Sequence, residues 1–133
     1  MALDVAERTG LPRPIYSFTL PLGVQINKDG TAIFLAAVVL FTAQAAGVTL
    51  SPGELGSALL LAFLLSAGSG GIPGGGFVVA LIMVKAFGLP LELAAIVGGI
   101  YRLVDMGNTT VNVMGDMVGT ILVTASEKRR SWT

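Results

Sequence analysis

The segment Ser66-Ala67-Gly68-Ser69-Gly70-Gly71-Ile72-Pro73-Gly74-Gly75-Gly76 sets six glycines and a proline between two apolar runs, 55–65 and 77–87. Glycine's backbone freedom and proline's missing N–H forbid a regular helix through it. Each limb, at about 12–14 residues, reaches only ~20 Å, short of the ~30 Å hydrocarbon layer of a bilayer. The pattern over 51–88 therefore predicts a re-entrant helical hairpin with a Gly-rich tip near the bilayer middle, not two crossings. Ser51 is placed to cap the first limb and Pro52 to open it. The second limb stops at Gly88-Leu89-Pro90.

The rest of the chain agrees with a membrane setting. Of 133 residues, 53% are apolar and 12% charged, about half the ~25% of a soluble domain. Residues 30–53 (24 in all) and 55–84 (30) carry no charge. Eight basic residues balance eight acidic ones, which excludes the basic surface that nucleic acid requires. Cysteine and histidine are absent, removing disulfides, thiolate or imidazole metal sites and His-based catalysis, so no enzyme is expected. The first ten residues hold two acids and one base and do not read as a signal peptide.

Upstream of the hairpin, two apolar runs, 14–26 and 32–47, are interrupted by Asn27-Lys28-Asp29-Gly30-Thr31. Singly they are too short to span; together, over 12–47, they predict one transmembrane helix broken at mid-depth. Such a break frees backbone polar groups and is tolerated only where protein or a wet cavity receives them. Downstream, Glu92 opens a long polar-faced transmembrane helix expected over 92–125. A tail over 126–133 follows, whose Lys128-Arg129-Arg130 cluster points to the cytoplasmic side. The fold class expected is thus all-α integral membrane.

On that last helix, at about 100° per residue, Asn108, Asn112, Asp105, Asp116 and Thr109 fall within an arc of roughly 100°. Val104, Met106, Val111, Val113, Met114 and Val118 lie mostly outside it. A carboxylate at mid-bilayer costs ~2.5–3.5 kcal/mol on insertion scales, so Asp105 and Asp116 demand cations, protons or a polar ligand. A structural polar seam between helices is the alternative. On the broken segment, Asn27, Asp29 and Thr31 stand beside bent backbone with bare carbonyls. With Asn112 and Asp116 they form a candidate oxygen-ligand set for a hard cation such as sodium. A kink held by local Asx hydrogen bonds is the competing reading. The glycine-rich tip lacks the Lys and the preceding strand of a phosphate loop, and reads instead as a flexible gate.

Four stretches carry a resemblance. They are Ile15-Tyr16-Ser17-Phe18-Thr19-Leu20-Pro21-Leu22-Gly23, Asn27-x-Asp29-Gly30-Thr31, the tip Gly71-Ile72-Pro73-Gly74-x-Gly76, and Asp105-Met106-Gly107-x-Thr109-x-Val111-Asn112-Val113-x-Gly115-Asp116. Together they resemble the dicarboxylate/amino acid:cation symporter family, the glutamate transporters, over about the C-terminal third of such a protein. The resemblance implies a seventh transmembrane helix, a second re-entrant hairpin and an eighth helix. The N-terminal segment that completes a homotrimeric transporter is missing.

It also implies roles. Asp105 looks like the acceptor of a substrate ammonium, with Thr109, Asn112, Thr31, Ile72 and Gly76 as further contacts to an amino acid or dicarboxylate. Gly23, Asn27, Asn112 and Asp116 look like one sodium site; Asn27 and Asp29 like part of another; Gln25 with Ser66 and Ser69 like a third. Sodium ions or protons are the implied coupling ions, with no other cofactor, and the motion implied is elevator-like. Three positions depart from the pattern. Asn108 stands where acidic-amino-acid carriers have arginine, Tyr101 where they have aspartate, and Lys28 where the motif has methionine. Lys28 either pairs with Asp29 or stands in for a cation; Arg102 either neutralises Asp105, assists with substrate or reaches the interface. The function expected is symport of a small amino acid or dicarboxylate. The alternative is a truncated or split-gene membrane fragment with no transport of its own.

Overall fold

The computed structural model describes residues 2–69 and 74–130, and those residues are all helical or connecting, with no strand among them. The helices are α1 (Ala2–Arg8), α2 (Arg13–Ile26), α3 (Asp29–Ala45), α4 (Pro52–Gly68), α5 (Gly75–Ala86), α6 (Leu91–Gly98) and α7 (Tyr101–Arg130). The tip residues 70–73, including Ile72, and the end of the tail, 131–133, lie outside the described residues.

Local chemistry sets most of these boundaries. α2 begins behind an extended Pro12 and ends where the Asn27 N–H bonds the Gly23 carbonyl at 2.7 Å. Asn27 and Lys28 alone separate it from α3, whose first turn carries Asp29 where a helix dipole favours negative charge. α4 opens on a full capping box. Ser51 Oγ accepts from the Glu54 N–H at 3.3 Å, while Glu54 Oε2 accepts from the Ser51 N–H at 2.8 Å. α5 opens on Gly74 at φ +81°, a conformation that side-chain-bearing residues rarely adopt.

α3 is the axis of the packing and touches α4, α5, α6 and α7. Its Phe34, Leu35, Val38, Val39 and Ala43 meet Ala58 and Ala62 of α4, and Ala80, Met83 and Val84 of α5. The alanines let backbones approach closely, the way helices associate where lipid removes the hydrophobic drive between them. A second, smaller cluster of Ala6, Tyr16 and Leu20 with Met117 fixes α1 and α2 on α7. Phe63, Leu103 and Met106 lie at 67–72% exposure on the outer faces. An apolar surface of that extent suits lipid or further protein, not water. The stretch Arg13–Ala45 is long and apolar enough to cross a membrane.

The long helix expected over 92–125 differs in two ways. It is divided at Gly99-Ile100 into α6 and α7, linked by three-residue bonds such as Ile100 N–H to the Val97 carbonyl at 3.1 Å. Gly98 and Gly99 are poor helix formers, and a Cβ on Gly98 would stand 2.8 Å from the Phe77 ring, so glycine also lets α6 pack closely on α5. At the far end α7 runs on through the basic cluster to Arg130, so residues 126–130 are helix rather than tail. Cations suit a helix C-terminus, and Arg130 pairs with Glu127 at 3.6 Å one turn back.

Candidate substrate and cation site

The gap between α2 and α3 faces the middle of α7. Asn27 Nδ2 donates to Asp116 Oδ1 and to the Asn112 carbonyl, both at 3.2 Å. Asn112 answers from the opposite helix. Its Oδ1 accepts from the Gly30 N–H at 2.8 Å, and its Nδ2 donates to Thr31 Oγ1 at 3.3 Å. One backbone group freed by the break, the Gly30 N–H, is thus met by a side chain of α7. The bonds of the Asn27 amide run to the facing helix and not to its neighbours, which sets aside the local Asx kink.

Three glycines make this approach possible. A Cβ on Gly23 would meet Asp116 Oδ1 at 2.7 Å, and one on Gly30 would meet the Asn108 carbonyl oxygen at 2.5 Å. One on Gly115 would collide with the Asn27 amide nitrogen, with Asp29 Oδ2 3.2 Å away. Asp29 is exposed, whereas Asp116 is 4% exposed. Below it, Thr120 Oγ1 donates to the Asp116 carbonyl at 2.9 Å and meets Thr19 Oγ1 of α2 at 2.9 Å. A cavity of about 300 Å³ between α2 and α7 is lined by Gly23, Asn27, Asp116, Thr19 and Thr120, among others. This donor set is carboxylate, amide, hydroxyl and backbone oxygen, which suits a hard cation rather than a transition metal. Among the described residues no group of three His, Cys, Asp or Glu could hold a metal ion.

A second group lies one turn and more toward the start of α7. Tyr101 donates its hydroxyl hydrogen to Asp105 Oδ1 at 2.9 Å. A Cβ on Gly76, in the first turn of α5, would stand 2.8 Å from that hydroxyl and 3.7 Å from Thr31 Cγ2. Gly76, Thr31 and Asp105 therefore gather around the end of the Asn112 network, and the Asn108 backbone closes against Gly30.

Other expected residues stand apart. Thr109, Gln25 and Arg102 are exposed, and no ion pair within 4.0 Å joins Arg102 to Asp105 or Lys28 to Asp29. Ser66 and Ser69 are buried but bond backward into their own helix end, to the Phe63 and Ser66 carbonyls. Ile72 lies outside the described residues. Reading the sequence marked Tyr101 only as a departure from the family pattern, and missed Gly115 and the Thr19–Thr120 bridge. The signal for Thr120 was present, since it repeats the Asp116 position one turn on and Thr124 repeats it again.

A model of the sodium:dicarboxylate symporter family matches residues 1–126. The chain belongs to the sodium:dicarboxylate symporter family. The family is one of membrane transporters, not enzymes. The chain is 37% identical over 125 residues to the proton/sodium-glutamate symport protein of Bacillus caldotenax, covering 94% of this chain and 30% of that protein. Identity is 36% over 126 residues to the C4-dicarboxylate transport protein of Bacillus subtilis, at 94% and 30% coverage. It is 38% over 117 residues to human excitatory amino acid transporter 2, at 88% and 20%. The symporter-family segment here thus spans only a fifth to a third of the length of these relatives.

Proposed function

We propose that this chain supplies the solute- and cation-binding part of a secondary symporter in the cell membrane, its C-terminus cytoplasmic. In this reading α2 and α3 are one broken transmembrane helix, α4 and α5 a re-entrant hairpin, and α7 the polar-faced spanning helix. The observation that carries it is the network of Asn27, Gly30, Thr31, Asn112 and Asp116, which brings helix termini and a buried carboxylate together where a cation or solute can replace protein donors. Turning the Asn27 amide over would present its oxygen, with Asp116 and the Gly23 carbonyl, to a sodium ion. Asp29 with Asn27, and Gln25 with the Ser66–Ser69 turn, are the further cation positions, and a proton is the alternative coupling ion.

Asp105 accepts the solute's ammonium, with Thr31, Thr109, Asn112, Ile72 and Gly76 around it. Asn108 offers no bidentate positive charge to a side-chain carboxylate, so a neutral amino acid or other small carboxylate is favoured over glutamate. Bound cations offset the burial of Asp116, so the hairpin closes and the loaded unit moves elevator-fashion only when the site is filled. The remaining helices, and a trimer, come from the segment absent here. Thermal unfolding of the purified chain in lipid nanodiscs, with a panel of amino acids and dicarboxylates with and without sodium, tests this. Stabilisation by neutral amino acids is expected, and stabilisation by aspartate alone contradicts the solute assignment.

A second reading is favoured by the short coverage of the relatives: a split or truncated product that transports nothing by itself. An upstream reading frame that encodes the missing helices and restores uptake on co-expression decides for the symporter.

A further inference from the structure

Tyr101 is buried at the head of α7, its ring held between Phe34 of α3 and Phe77 of α5 with centroids 5.3 and 5.4 Å away. Its hydroxyl reaches Asp105 Oδ1 at 2.9 Å and lies so near the backbone of Gly76 that only a glycine fits there. One phenol therefore touches two other helices, α3 and α5, and the carboxylate of its own. We propose that Tyr101 is a positioning residue that makes the recognition of an ammonium group by Asp105 depend on the placement of the first turn of α5. The inference rests on the reading of Asp105 as the ammonium acceptor.

The chemistry follows from what a phenol is. It is a neutral donor, so it fixes one carboxylate oxygen without cancelling the negative charge, and leaves the second oxygen for a cationic partner. Arg102, the nearest basic residue along the helix, is exposed and makes no ion pair with Asp105. The charge at Asp105 thus remains available to a solute, and its direction is set by a ring clamped between α3 and α5. A solute bearing a primary ammonium is then distinguished from a carboxylate of the same shape lacking one.

The test is the affinity of the full chain in lipid nanodiscs for L-alanine and for propionate, which differ by the ammonium alone. Tyr101→Phe keeps the ring packing and removes the donor. It should lower the alanine-to-propionate affinity ratio about tenfold, the scale of one hydrogen bond to a charged group, with propionate binding changed less than twofold. An unchanged ratio, or equal loss for both ligands, overturns the inference and leaves Tyr101 as packing. Wild-type chain that binds neither ligand overturns the ammonium-site reading as well. The folded wild type gives an independent readout through 3-fluorotyrosine, because the chain has only two tyrosines, Tyr16 and Tyr101. The Tyr101 fluorine signal should move on adding alanine and not propionate; the same response to both contradicts the proposal.

Discussion

Asn27 Nδ2 and Asp116 Oδ1 stand 3.2 Å apart although 89 positions separate them in the chain. An amide from the gap between two helices satisfies a buried carboxylate on a third. A carboxylate so placed needs every partner it has, because an unpaired charge in apolar surroundings is costly.

Asp116→Asn keeps the size and removes the charge. Apparent sodium affinity, read from sodium-dependent thermal shifts in nanodiscs, should fall roughly ten- to a hundredfold, on the scale of ~1.5–3 kcal/mol for a charged hydrogen-bond partner. An unaltered sodium response would remove Asp116 from the cation site.

Gly115→Ala should destabilise the chain by about 1–3 kcal/mol, the usual cost of forcing extra volume into a packed site, because the new methyl strikes the Asn27 amide. Gly119→Ala, one turn on with nothing within 4 Å, is the control. It should be neutral or stabilise by up to about 1 kcal/mol, as alanine is the better helix former. Equal effects of the two in thermal unfolding would deny the close approach.

Asn108→Arg should move solute preference toward glutamate and aspartate by about tenfold or more in competition binding, since a guanidinium recognises a carboxylate bidentately. Retained preference for neutral amino acids would place the selectivity elsewhere.

Lys28→Met tests whether the Lys28 ammonium acts as a resident cation. Solute affinity of the variant should rise more steeply with sodium concentration than that of the wild type. Parallel sodium curves would assign Lys28 to solvent or interface.

Much of the site could be read from residue spacing, because one helix carries it: Asp105, Asn112 and Asp116 recur at helical period and do share a face. The capping box at Ser51 and Glu54 was equally legible, as its chemistry is local. What could not be read depends on contacts between distant segments. Thr19 gives no hint alone that it meets Thr120 of another helix, nor Gly98 that the Phe77 ring lies against it. For Asn27, a local Asx turn and a tertiary bond are equally good from the sequence, and only the position of α7 decides. Arg102, at roughly +60° from Asp105 on a helical wheel, shares its side of α7, yet its long side chain runs outward, exposed.

The most direct measurement is hydrogen–deuterium exchange of the chain in lipid nanodiscs, comparing sodium plus L-alanine with choline alone. Residues 27–31 and 105–116 should both gain protection when sodium and alanine are present, and Asp116→Asn should abolish the gain in both segments together. Protection confined to one segment, or none in either, would show that the helix break and α7 do not form a common site.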